Sequence, residues 1–247
     1  MKTLAIVVPC YNEEETIHPF LEACQAVERQ MANQLTFNYY FVNDGSKDRT
    51  LEVLRQVSKQ FENVHYLSFS RNFGKEAGLL AGLEAAQGDY VTVMDADLQD
   101  PPELIPKMIE SWKKGNLVNL AVRKGREESK LKNFFADTYY KLVRKWVEPN
   151  YPKRGFDFFL IDKRVVDELV EMQEKNSSIY LQLIWLGYTP TKIKYTRRER
   201  GKGKTMWTYS KRINLFIDTF VVLSHKPIRF ISGSGFFRSL SGLIFAI

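Results

Sequence analysis

Short runs of β-branched and aromatic residues alternate with longer stretches of helical spacing through the first half of the chain. Residues 4–9, 39–43, 64–68 and 90–94 read as strands, with a fifth at 117–122. Between them, residues 14–31, 50–61, 75–87 and 103–114 carry apolar positions at helical spacing. Strand and helix in alternation predict an α/β fold, Rossmann-like, with a mostly parallel sheet covered by helices on both faces. In such a sheet ligands bind at the carboxyl ends of the strands. The polar residues that follow each strand are therefore the ones to read for chemistry. The second half is less regular: a helical region at 129–147, a short run at 158–161, helices near 165–173 and 179–186, and a strand-like run at 191–196.

The tail changes character. Ile213, Phe216, Ile217, Phe220 and Val221 follow amphipathic spacing directly after Lys211 and Arg212. Residues 230–247 are rich in Phe, Ile, Leu, Gly and Ser, and their last charge is Arg238. A bilayer span takes about 20 apolar residues, so this stretch is expected to be the start of a membrane segment cut short, or one that lies on the surface. The expected organisation is a main domain over 1–210, a juxtamembrane amphipathic helix over 211–229 and the beginning of a transmembrane region over 230–247.

Composition narrows the setting. A hydrophobic share of 44% with 26% charged residues excludes disorder and fibrous repeats. Two cysteines, Cys10 and Cys24, exclude a disulfide scaffold and suit a reducing compartment. Met1-Lys2-Thr3 leads straight into an apolar run ending at Pro9, so no signal peptide is expected and the body of the chain is expected in the cytosol, at the cell membrane. The net charge is +7, concentrated between Arg197 and Arg212, where seven basic residues face the single acid Glu199. Such a patch calls for a phosphate-bearing ligand or an anionic lipid surface. No zinc, homeodomain or RNP pattern supports nucleic acid as the partner.

The sharpest chemical signal is Asp95-Ala96-Asp97-Leu98-Gln99-Asp100-Pro101-Pro102, after the strand at 90–94. Carboxylates one residue apart at a strand end can converge on a hard cation, Mg²⁺ or Mn²⁺, with substrate phosphates filling other positions. The first strand ends in Pro9-Cys10-Tyr11-Asn12-Glu13-Glu14 and the second in Asn43-Asp44-Gly45-Ser46-Lys47-Asp48. Asp44 can accept hydrogen bonds from a base or ribose, and Gly45 lets backbone come close. Helix capping by Ser46 or Asn12 is the plainer alternative for either motif alone. Gly203-Lys204-Thr205 is not a P-loop, because its first glycine would fall at Arg198. His18, His65 and His225 are scattered and give no metal site or triad.

Pro9-x-Tyr11-Asn12-Glu13, Asn43-Asp44-Gly45-Ser46, Arg71-Asn72-Phe73-Gly74-Lys75-Glu76 and Asp95-Ala96-Asp97-Leu98-Gln99-Asp100-Pro101 together resemble the family 2 glycosyltransferases of GT-A fold, in their polyprenyl-phosphate branch. The resemblance runs from Leu4 to about Arg229. It implies a nucleotide-sugar donor, bound by Pro9, Tyr11, Asn12, Glu13, Asp44, Lys75, Asp95, Ala96 and Asp97. It further implies a metal at Asp97 with help from Asp95 and Gln99, and transfer with inversion. Gly155-Phe156-Asp157 resembles the family's Gly-Phe-Asp, whose acid faces the reacting centre. Arg197-x-x-Arg200-x-x-Gly203-x-Thr205-x-Trp207 resembles a phosphate-binding loop, but Thr205 replaces Ser and Met206 stands where many relatives have Lys. That shifts the acceptor phosphate to Arg200, Lys202 and Lys204, with Arg123 and Arg126 as further candidates. Asp157, Asp97 and Arg200 are the expected catalytic residues. The implied reaction moves a hexose from a UDP-sugar, UDP-glucose among them, to undecaprenyl phosphate at the cytoplasmic membrane face. A glycan or soluble acceptor, a non-catalytic nucleotide-sugar-binding membrane module, and a homo-oligomeric state stay open.

Overall fold

The computed structural model describes residues 1–124, 130–146, 148–153, 155–172 and 178–198, together with 232, 234, 235 and 238. Seven strands form one sheet: β1 (Lys2–Cys10), β2 (Leu35–Asn43), β3 (Val64–Ser68), β4 (Tyr90–Val93), β5 (Val118–Arg123), β6 (Phe158–Asp162) and β7 (Thr191–Tyr195). Their spatial order is β3-β2-β1-β4-β6-β5-β7. Every neighbouring pair is parallel except those of β6, which runs antiparallel to both β4 and β5. The helices are α1 (Ile17–Met31), α2 (Thr50–Gln60), α3 (Lys75–Ala85), α4 (Ile105–Lys113), α5 (Lys130–Trp146), α6 (Lys163–Glu171) and α7 (Ile179–Trp185).

β1 shows why the sheet is covered on both sides. Its residues 4–8 are all fully buried, which a strand with one wet face cannot be. Because successive side chains point to opposite faces, Leu4, Ile6, Val8 and Cys10 join the core beneath α1, α2 and α4. Ala5 and Val7 join a second core with Leu79 and Leu83 of α3, Val143 of α5, Val165, Val166 and Leu169 of α6, and Leu183 of α7. Truncating any of the fully buried leucines to alanine is expected to cost roughly 2–5 kcal/mol.

The expected elements are present, with shifts that have local causes. α1 begins at Ile17 rather than at residue 14, because residues 13–16 close a turn in which Thr16 donates from N–H to the Glu13 carbonyl at 3.0 Å. The helix expected from 103 opens as a 3-10 turn over Pro102–Leu104 and becomes α4 at Ile105. β2 starts at Leu35, four positions before the expected strand, and pairs with β1 over its whole length. Among the described residues no helix is long and apolar enough to cross a membrane. The juxtamembrane helix expected over 211–229 and almost all of 230–247 lie outside the described residues.

The reversed strand matters most for function. Six parallel strands end at one edge of the sheet at Cys10, Asn43, Ser68, Val93, Arg123 and Tyr195. β6 runs the other way, so it is its start, Phe158, that lies at that edge, opposite Ala121 of β5. Asp157 therefore enters the sheet where the other strands leave it.

Candidate active site

Two loops at this edge are joined by their own polar groups. The Asn12 N–H donates to Ser46 Oγ at 3.0 Å, and the Lys47 N–H donates to Asn12 Oδ1 at 2.8 Å. Glu13 N–H reaches Thr50 Oγ1 at 2.8 Å, and Glu14 N–H reaches Asp48 Oδ2 at 3.2 Å. Asn12 sits at φ 57°, in the left-handed region that asparagine tolerates. Pro9, Tyr11, Asn12 and Glu13 are half-buried along this seam.

Asp44, 4% exposed, spends its carboxylate on the next loop. Its Oδ1 accepts from Phe73 N–H at 2.6 Å and its Oδ2 from Gly74 N–H at 2.9 Å, at the N-terminus of α3. The structure thus gives both oxygens, expected for a base or ribose, an anchoring contact first. The loops can approach because residue 45 is glycine. It adopts φ 62°, and a Cβ there would lie 2.3 Å from the Arg71 carbonyl carbon.

That anchor aims α3. Lys75, its first residue, places Nζ 2.6 Å from Asp95 Oδ1 and 2.8 Å from Oδ2. Burial alone would lower the Lys75 pKa, but Asp95, Tyr180 and Asp157 together hold it well above its ordinary value. Glu76 turns the other way and accepts from Ile179 N–H at 2.9 Å, capping α7. Burial raises the Glu76 pKa in spite of that bond.

The loop after β4 carries the acidic motif. Ala96 is buried, while Asp95, Asp97 and Gln99 are half-buried. Leu98 sits at φ 56°, a strained value that costs of the order of 1 kcal/mol or more in a non-glycine residue. The turn is tied by Gln99 N–H donating to Asp97 Oδ1 at 3.1 Å. It is also tied to the segment beyond β7: Arg198 N–H donates to the Gln99 carbonyl at 3.0 Å, and Arg198 Nη2 lies 3.0 Å from Glu103 Oε1. Asp100, 1% exposed, receives the Tyr195 hydroxyl and lies 3.9 Å from Arg197 Nε. Burial and the nearby Asp157 raise its pKa to about 6 against Tyr195, Arg197 and Arg123.

Across the site, the Arg123 guanidinium donates to the Asp157 carboxylate. Arg123 is 9% exposed, and the Asp157 side chain 37%. Burial would lower the Arg123 pKa, but Asp157, Tyr195 and Asp100 outweigh it. Arg123 therefore meets an acid of its own site before any acceptor phosphate. Beneath Asp157, Phe156 packs edge-on against Phe159 and Tyr180 and tilts onto Tyr151, which fixes the loop.

Asp95, Asp97, Asp157, Lys75 and Arg123 are thus brought to one edge, with Pro9 to Glu13 and Asp44 forming its wall. Arg126, Arg200, Lys202 and Lys204 lie outside the described residues. Tyr180, Tyr195 and the structural roles of Glu76 and Asp100 were not legible beforehand. An aromatic in an apolar helical run and a tyrosine ending a strand both read as core.

The donor set suits a hard divalent cation. Asp95 and Asp97 offer carboxylate oxygen with the Gln99 amide nearby, and Asp95 already holds one cation, the Lys75 ammonium. Among the described residues no group of three or more His, Cys, Asp or Glu side chains is placed to hold a metal. Two carboxylates are the kind of set that shares Mg²⁺ or Mn²⁺ with a substrate's phosphates.

The family model for Glycosyl transferase family 2 matches residues 5–170. The chain is 40% identical over 242 residues to the glycosyltransferase YkcC of Bacillus subtilis (strain 168), covering 98% of this chain and 74% of that protein. It is 37% identical over 227 residues to the bactoprenol glucosyl transferase of Shigella phage SfV, covering 92% and 73%. Its fold is similar to that of glucosyl-3-phosphoglycerate synthase from Mycobacterium tuberculosis, solved with Mn²⁺, UDP and phosphoglyceric acid. The TM-score is 0.60 at 15% identity, over 87% of this chain and 75% of that one. Mannosyltransferase PcManGT from Pyrobaculum calidifontis, solved with GDP-Man and Mn²⁺, gives a TM-score of 0.56 at 16% identity, over 81% and 58%.

Proposed function

The chain belongs to glycosyltransferase family 2, and on that premise we propose that it transfers a hexose, with inversion, from a UDP-sugar such as UDP-glucose to undecaprenyl phosphate at the cytoplasmic membrane face. The observation that carries this reading is the convergence of Asp95, Asp97, Asp157, Lys75 and Arg123 at the carboxyl edge. The 37% identity to a bactoprenol glucosyl transferase over 92% of the chain supports the lipid acceptor. The basic residues from Arg197 onward and the amphipathic spacing after Lys211 support a membrane-facing site.

A lipid phosphate monoester has a second pKa near 6, so at neutral pH it is an anionic nucleophile that needs positioning more than deprotonation. Its oxygen attacks the anomeric carbon in line; the new bond forms as the bond to the nucleoside diphosphate breaks, and no proton has to move. Asp97, with Asp95 and Gln99, would hold Mg²⁺ or Mn²⁺, which supplies Lewis-acid stabilisation of the departing diphosphate. Asp157, oriented by Arg123, directs the sugar or the acceptor. Arg200, Lys202 and Lys204 hold the acceptor phosphate, Arg200 by bidentate contact. Pro9 to Glu13, Asp44 and Ala96 shape the nucleotide wall.

The test is a membrane-based transfer assay with undecaprenyl phosphate, radiolabelled UDP- and GDP-sugars, and Mn²⁺ or Mg²⁺ with an EDTA control. A chloroform-soluble labelled product that disappears with EDTA and in Asp97→Ala is the expected result, and it names the sugar. Nucleoside diphosphate release without lipid product would overturn the acceptor assignment. No turnover with any donor by a folded chain would overturn the enzymatic reading.

A further inference from the structure

The Lys75 ammonium straddles the two oxygens of Asp95, at 2.6 Å and 2.8 Å. A divalent cation on that carboxylate would lie at roughly 2.0–2.6 Å from the same oxygens. Both cations on one carboxylate would stand about 4 Å apart or less, with strong like-charge repulsion in a partly buried site. The two cations therefore compete for Asp95. A second observation shows where the lysine can go. Its Nζ lies 5.7 Å from the centroid of the Tyr180 ring. Tyr180 is 7% exposed, and among the described residues its buried hydroxyl has no hydrogen-bond partner. A buried hydroxyl left unpaired is costly and calls for an explanation. Lysine has the flexible stem to reach it.

Resting on the reading that Asp95 and Asp97 hold the metal, we infer that Lys75 is a resident counter-ion of Asp95, exchanged for the divalent cation, and that the Tyr180 hydroxyl receives the displaced ammonium. Lys75 is then a positioning residue for the metal site. In the absence of metal it neutralises Asp95 and keeps the acidic turn folded. When the metal arrives, the unpaired hydroxyl of Tyr180 gains a donor, so the exchange moves one hydrogen-bonded cation between two stations.

The readout is Mn²⁺ binding to the full chain without nucleotide, followed by electron paramagnetic resonance of the free ion. Lys75→Met removes the competing charge and is expected to tighten Mn²⁺ binding by about tenfold or more, whereas Lys75→Arg keeps the wild-type affinity. Tyr180→Phe removes the second station and is expected to weaken Mn²⁺ binding severalfold in the wild-type background and not at all beside Lys75→Met. Binding by Lys75→Met no tighter than wild type, while Asp97→Ala still abolishes it, overturns the exchange alone. Mn²⁺ binding that survives Asp97→Ala overturns the underlying metal assignment. If Lys75→Met does not fold, Tyr180→Phe decides, and an unchanged Mn²⁺ affinity in that variant overturns the receiving role.

Discussion

Gly45→Ala tests how the site is held together. Two costs are separable. The first is dihedral strain: alanine at φ 62° costs about 1–2 kcal/mol. The second is a collision, because the new Cβ would lie 2.3 Å from Arg71 C, 2.6 Å from Arg71 Cα and 2.6 Å from Asn72 N. All three are backbone atoms, so the 71–72 segment itself has to shift. That segment leads into the Phe73 and Gly74 amides that donate to Asp44 at 2.6 and 2.9 Å. Each hydrogen bond to a charged acceptor is worth roughly 1.5–3 kcal/mol, so losing one on top of the strain gives about 2.5–5 kcal/mol. Gly115 is the control: it sits at φ 92° with nothing within 4 Å of an added Cβ, so Gly115→Ala carries strain without collision. Urea denaturation of the two variants is the assay. Gly45→Ala is expected to lose at least about 1.5 kcal/mol more than Gly115→Ala. Equal losses would refute the claim that contact between the second and third strand-end loops builds the site.

Further expectations concern charge. Asp157→Asn should lower kcat/KM by roughly a hundredfold through lost positioning and, by leaving the buried Arg123 short of its partner, destabilise the fold by about 2–5 kcal/mol; thermal melts and transfer kinetics check both, and near-normal turnover would remove Asp157 from the reacting centre. Asp157→Asn combined with Arg123→Met should cost less stability than the sum of the two changes, because the pair is lost once. Burial raises the pKa of Glu28 above 4.5 against the Tyr39 hydroxyl bond and Arg29, so the folded state holds that proton more tightly than the unfolded chain. The stability linked to it is present below pH 4.5 and is lost as pH rises through the folded pKa. Relative to Glu28→Gln, wild type should therefore lose stability on going from about pH 4 to about pH 7; a flat difference in urea midpoints would contradict this. Neutralising Arg200, Lys202 and Lys204 together should raise KM for undecaprenyl phosphate by about tenfold or more with a smaller effect on kcat, read from the transfer assay at fixed salt.

The sequence by itself determined the element order and the strand-end positions of the chemistry. Among the described residues, periodicity marked six of the seven strands and all seven helices within a few residues, and left 158–161 as a short unassigned run, because alternation and helical spacing follow from which face each segment buries. The polar clusters at 9–14, 43–48 and 95–100 stood out because they interrupt apolar runs. Only the tertiary structure decided how those clusters meet. Strand periodicity is blind to direction, so nothing in Phe158–Asp162 announced that β6 would run antiparallel between β4 and β5 and deliver Asp157 to the working edge. The contacts of Asp44 with Phe73 and Gly74, of Lys75 with Asp95, of Arg123 with Asp157 and of Tyr195 with Asp100 join positions 20 to 95 residues apart. Such partners are chosen by sheet order and by the need to satisfy buried charge. Residue types can show that Asp44, Lys75 and Arg123 are able to bind ligand, but the packed fold first gives each a partner within the protein.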